Sequence, residues 1–115
     1  MTETVARFER VLAERGVKLY AIFDHDAEAA AVGLELRETR VLVFGSPAAG
    51  TPVMQSVPQA ALDLPLKVLV WADGDETRVD YLAPAELASR YGLSEELAVR
   101  LAAIDAIVDA ALSEP

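Results

Sequence analysis

Few residues in this chain could carry chemistry, and they fall in three places. His25, the single histidine, stands beside Asp24. Histidine titrates near neutral pH, so an adjacent acid suggests a pH-responsive base or a metal ligand. On a strand, however, neighbouring side chains point to opposite faces, so Asp24 is more easily a helix cap than a partner of His25. One histidine without cysteine cannot build a typical zinc site unless several carboxylates converge. No metal and no cofactor is expected.

Asp63 lies between Leu62 and Leu64 in a segment almost free of charge: from Thr39 to Trp71 the only charged residues are Arg40, Asp63 and Lys67. A buried carboxylate must find donors. Arg40, Lys67, His25 or the backbone of Gly45–Thr51 could supply them, making Asp63 either a structural acid that pins that loop or an acid in a ligand pocket. The third place is the loop itself, Gly45-Ser46-Pro47-Ala48-Ala49-Gly50-Thr51. Free backbone N–H groups before a helix can hold an anion. The loop lacks the lysine and spacing of a nucleotide-phosphate loop, and Ser46 lacks the setting of a hydrolase nucleophile. A tight turn is the simpler account.

These residues need elements to position them. Val5, Phe8 and Leu12 recur at helical spacing and Gly16 ends that helix. Val17 to Asp24 is a predicted strand with Val17, Leu19, Ala21 and Phe23 on one side. His25 to Val32 is a short helix capped by Asp24 or Asp26. Thr39 to Phe44 hardly alternates, as in a strand covered on both faces. Gly45 to Gly50 reads as a turn, with Thr51 capping a short helix whose Pro52 takes the first position. Pro65 opens a strand from Leu66 to Trp71, and Asp73-Gly74 marks a hairpin into Thr77 to Leu82. Pro84 opens a helix closed by Gly92. Ser94 caps a last helix whose inward stripe is Leu97, Leu101, Ile104, Val108 and Leu112. The order predicts an α+β fold: a mainly antiparallel four-stranded sheet with helices on one face.

Composition narrows the function. The chain has 115 residues, the size of one domain, so residues 1–115 are expected to form a single unit. Ten basic and nineteen acidic residues give a net charge of −9. Such a surface repels nucleic acid and anionic membranes, which need clustered lysine and arginine. No apolar run approaches the roughly 18–20 residues of a membrane span, and the N-terminal residues lack a signal peptide's apolar block. A cytoplasmic protein with neither nucleic-acid nor membrane partners is expected. With no cysteine there is neither disulfide nor thiolate chemistry. An apolar chain with one sheet face half open should close that face with a second copy, so a homodimer is expected.

The segment FGSPAAGTPVMQSVPQAALDLPLKVLVW closely resembles the signature of domain-of-unknown-function family 302, small bacterial and archaeal α+β proteins. Asp24-His25, Gly33-Leu34, Tyr81 and Tyr91 also fit, and the resemblance runs from Thr4 to Leu112. It implies a β-α-β(4)-α outline similar to TATA-binding-protein-like sheets, and pairing as dimers, but no activity. The family pattern commonly has asparagine, an acid and proline after the hairpin tyrosine. Here Leu82, Ala83 and Pro84 follow Tyr81, which weakens a polar role at that corner. The N-terminal strand of the outline is very short or absent.

The function expected is therefore a homodimeric binding or interaction module. Its small molecule or anion would sit near Gly45, Ser46, Gly50 and Thr51, with Asp24, His25 and Asp63 close by. A small acid/base enzyme using His25 with Asp24 or Asp63, and a purely structural or regulatory dimer, are the alternatives.

Overall fold

The computed structural model describes residues 1–113. Helix α1 (Thr2–Glu14) is followed by strand β1 (Lys18–Asp24), helix α2 (His25–Ala31) and strand β2 (Thr39–Gly45). Helix α3 (Pro47–Ser56) and a 3₁₀ turn (Pro58–Asp63) lead to strands β3 (Leu66–Asp73) and β4 (Glu76–Tyr81). Helices α4 (Pro84–Tyr91), α5 (Glu95–Leu101) and α6 (Ala103–Ser113) complete the fold. The four strands form one antiparallel sheet in the order β1-β2-β3-β4, so each strand pairs with its neighbour in sequence. The expected α+β arrangement is present.

One sheet face makes the larger core. Leu42 and Phe44 of β2 and Val68 and Val70 of β3 point to it, as alternation along a strand requires. Against them pack Val5, Phe8, Val11 and Leu12 of α1 and Ile104, Ile107, Val108 and Ala111 of α6. Burying each large side chain of this kind contributes about 1.5–3 kcal/mol. The opposite face carries Ala21, Phe23, Val41, Val43, Leu69 and Trp71, none of which belongs to either apolar cluster.

Strand β1 does not keep the single apolar side predicted for it. Leu19 pairs with Phe44, but the next pair is Ala21 with Val43, so Tyr20 is an extra residue in a bulge. One inserted residue reverses which face every later side chain takes. Leu19 therefore faces the core, whereas Ala21 and Phe23 face the open side. The hairpin between β3 and β4 is also placed one residue later than predicted. Asp73 pairs with Glu76, leaving Gly74-Asp75 as the two-residue loop. Gly74 takes φ +62°, which suits glycine at the first central position of a primed turn.

A second, smaller cluster joins Val53 of α3, Ala60 of the 3₁₀ turn, Leu87 of α4 and Leu101 of α5. Leu66 packs against both clusters. This division explains why the predicted last helix is two. The stripe breaks at Ala102, so that Leu101 enters the second cluster while Ile104 enters the first. No glycine or proline marks the break. Leu112, predicted to face inward, is 50% exposed.

Helix α3 begins earlier than the sequence suggests. Two prolines five residues apart each offer a helix start, and Pro47 takes it. Ser46 occupies the cap position, and its carbonyl accepts from Ala49 N–H at 3.0 Å and Gly50 N–H at 2.9 Å. Gly45 to Gly50 is thus not a turn, and Thr51 is a mid-helix residue rather than a cap. Replacing Leu66 by alanine should lower unfolding free energy by about 2 kcal/mol, since it packs against both clusters. Leu62→Ala, at a side chain 82% exposed, should change it by less than about 0.5 kcal/mol. Denaturant titration compares the two.

Candidate functional site

Strand β2 runs directly into α3 at Gly45, and this junction forms one wall of a cleft of about 210 Å³. Gly45, Ser46, Pro47, Ala49 and Gly50 line that wall, Tyr20 of the bulge stands at the side, and Met54 continues it along α3. Ala61, Leu64, Pro65 and Leu66 come from the opposite segment, where the Leu64–Pro65 peptide is cis. Arg100 and Leu101 of α5 close the circuit. A methyl group at Gly45 would already touch Pro65 Cβ at 3.5 Å and the Tyr20 ring at 3.7 Å, so a longer side chain there would fill the cleft. Of the predicted residues, Gly45, Ser46 and Gly50 thus share one cavity. Thr51 is exposed and lies outside its lining.

Asp63 does not line that cavity. It borders a neighbouring cleft of about 430 Å³, with Lys67, Leu69, Asp80, Tyr81 and Leu82, and the two clefts share Leu66. Its side chain is 23% exposed, half-buried rather than fully enclosed. The hydroxyl of Tyr91 donates to its Oδ2 at 2.5 Å and Arg90 donates to the same oxygen at 2.9 Å. Those two bonds, Tyr91 first, hold the carboxyl below its ordinary pKa of 3.8, with Lys67 adding a smaller charge effect. The Tyr91 phenol is raised in return, chiefly by the same bond. Neither Arg90 nor Tyr91 is among the donors the sequence suggested. They lie 27 and 28 residues away on α4, and packing brings them in. The one sequence signal for them was Tyr91 itself, a residue of the family resemblance.

Asp24 and His25 lie at the other end of β1. Lys18 pairs with Gly45 whereas Asp24 pairs with Arg40, a separation of about 20 Å along the strand. The Asp24 carboxylate caps α2 by accepting from Ala27 N–H at 3.2 Å, and Arg40 approaches it at 3.4 Å. Asp26 instead accepts from Thr39 N–H at 3.0 Å and ties α2 to the start of β2; that bond leads the effects that lower its pKa. His25 is exposed and stacks on Phe23, with ring centres 6.4 Å apart. The expectation that Asp24 and His25 sit close to the Gly45–Thr51 segment does not hold. Among the described residues no group of three or more histidine, cysteine or acidic side chains is arranged to hold a metal ion.

The chain matches the family described as domain of unknown function DUF302 over residues 1–111. It belongs to that family. It is also similar to the crystal structure of an uncharacterized conserved DUF302 protein from Bacillus stearothermophilus. The TM-score is 0.82 at 22% identity, covering 97% of this chain and 88% of that one. Among curated proteins it is 35% identical over 103 residues to a fluoride-specific ion channel, FluC 1, from Brucella suis biovar 1. The alignment takes in 87% of this chain and 41% of the channel protein. FluC 2 of Brucella melitensis biotype 1 matches at the same identity over 38% of its length. The chain therefore spans about two-fifths of the curated relatives it matches. Among the described residues no helix is long and apolar enough to cross a membrane.

Two substitutions probe this region. Gly50→Ala places a methyl group whose nearest neighbour is Met54 Cε at 3.9 Å, so it should raise stability by about 0.5–1 kcal/mol through helix propensity. Thermal melting measures that gain. Asp63→Asn should cost about 1–2 kcal/mol at pH 7, because two charge-assisted bonds are weakened. The folded-state pKa of Asp63 is depressed, so its contribution is present above pH 3.8 and is lost as pH falls through the lower folded value. The difference in melting temperature between wild type and Asp63→Asn should accordingly shrink below about pH 4.

Proposed function

We propose that this chain is a cytoplasmic small-molecule-binding or interaction module that works as a homodimer. The cleft beside Gly45, Ser46 and Gly50 is the observation that carries the binding half. It is walled mainly by apolar groups with a few polar ones, the usual make-up of a small-ligand site. The acid/base alternative has less support, since His25 is not paired with Asp24 and lies far from Asp63. Asp24 and His25 accordingly drop out of the proposed site, and Thr51 with them. Gly45, Ser46 and Gly50 remain, with Asp63 across Leu66 in the adjoining cleft.

The open sheet face supports the homodimer. Phe23, 53% exposed, shares it with Val41, Leu69 and Trp71, which are half-buried, and none of these belongs to either apolar cluster among the described residues. Apolar residues gathered on one exposed sheet face mark an interaction surface, and a two-fold copy satisfies both faces at once.

The fluoride-channel relatives suggest a setting. A segment similar to this chain makes up about two-fifths of the channel protein, and no described helix here is long and apolar enough to cross a membrane. We infer for this chain an accessory role beside such an activity rather than a channel-forming one.

Native mass spectrometry of protein taken directly from cells tests both halves. The expected result is a species at twice the 12.3 kDa chain mass, with added mass that is absent from Gly50→Leu. A wild-type monomer removes the homodimer. Val41→Glu, on the open face, should give a monomer with an unchanged far-ultraviolet circular dichroism spectrum.

A further inference from the structure

We propose that the cleft bounded by Gly45 and Arg100 takes a small apolar carboxylic acid, its carboxylate on Arg100 and its body among Met54, Leu64 and Leu101. This rests on reading the cleft as a binding site and adds the class of ligand.

The sign of charge comes first. Nineteen acidic against ten basic residues give this chain a net charge of −9, yet among the described residues no acidic one lines the cleft, and the one charged side chain there is Arg100. A site for a cation would need the reverse. Arg100 is also uncommitted. Arg37, Arg40, Arg78 and Arg90 each meet a carboxylate, whereas Arg100 meets none among the described residues. The planar guanidinium matches a carboxylate through two parallel N–H donors. The Ser46 hydroxyl makes no capping bond, which leaves it available beside the same space.

Size and wall composition set the rest. About 210 Å³ is the space of about seven waters, and an apolar cavity of about 150 Å³ is known to take up benzene. A single-ring or short branched acid fits, and a nucleotide does not. Met54 adds an unbranched, polarisable side chain that adapts to the shape of an apolar guest. The small residues Gly45, Ala49 and Gly50 keep one wall low.

Benzoate, benzamide and benzylamine are titrated into the intact chain while the methyl resonances of Met54, Leu64 and Leu101 are followed. The expected result is saturable benzoate binding at least tenfold tighter than benzamide, with no measurable benzylamine binding. Arg100→Gln, at an exposed position that leaves the fold untouched, should bring benzoate to the benzamide level. Gly50→Leu, which fills the cleft, should abolish both. Equal binding of benzoate and benzamide, or indifference to Arg100→Gln, overturns the acid while the cleft stands as a site. Benzoate binding that survives Gly50→Leu overturns the location. If none of the three moves those methyl groups, the acid and the cleft as a binding site fall together.

Discussion

The packing of Leu66 is the contact on which both halves of the molecule depend. Its side chain touches the large cluster between the sheet and helices α1 and α6, and the small cluster that gathers α3, α4 and α5. Interiors are close-packed, so a residue shared by two clusters transmits the position of one to the other. Leu66 also lies where both clefts meet. The shape of either cavity is therefore set by how the two clusters seat against one side chain.

Four aspartates of this chain join one element to another. Asp26 fixes α2 to β2, Asp63 fixes the 3₁₀ turn to α4, and Asp105 of α6 accepts from the Tyr81 hydroxyl of β4 at 2.8 Å. On the open face Asp80 accepts from Trp71 Nε1 at 2.6 Å. Each is a carboxylate paired with a donor from another segment, and charge-assisted bonds are stronger than neutral ones. These four carboxylates tie segments together within an otherwise acidic composition.

Against that background the two exposed apolar features differ in kind. The open sheet face is broad and built from strand alternation, a geometry suited to another surface. The cleft beside α3 is narrow, made by small residues on one wall and a proline on the other. Steric room exists there because Gly45, Ala49 and Gly50 project little, not because the backbone is strained: neither glycine takes a positive φ.

Local sequence signals carried most of the elements and the family, though not the 3₁₀ turn or the division of the last helix. The α1 stripe, the short helix after Asp24, the central strands and the glycine-closed α4 were legible because periodicity and capping act within a turn or a strand. Gly45, Ser46 and Gly50 stood out in the sequence because glycine and proline interrupt an apolar stretch there, and the three do share one cleft. The tertiary structure alone decided the bulge at Tyr20, the break at Ala102, the choice of Pro47 over Pro52, and the partners of Asp63. It also placed His25 away from the cleft and Arg100 beside it. These outcomes join residues far apart in sequence, such as Asp63 and Tyr91, 28 positions distant. No local rule relates such positions; the close packing of two clusters around Leu66 does.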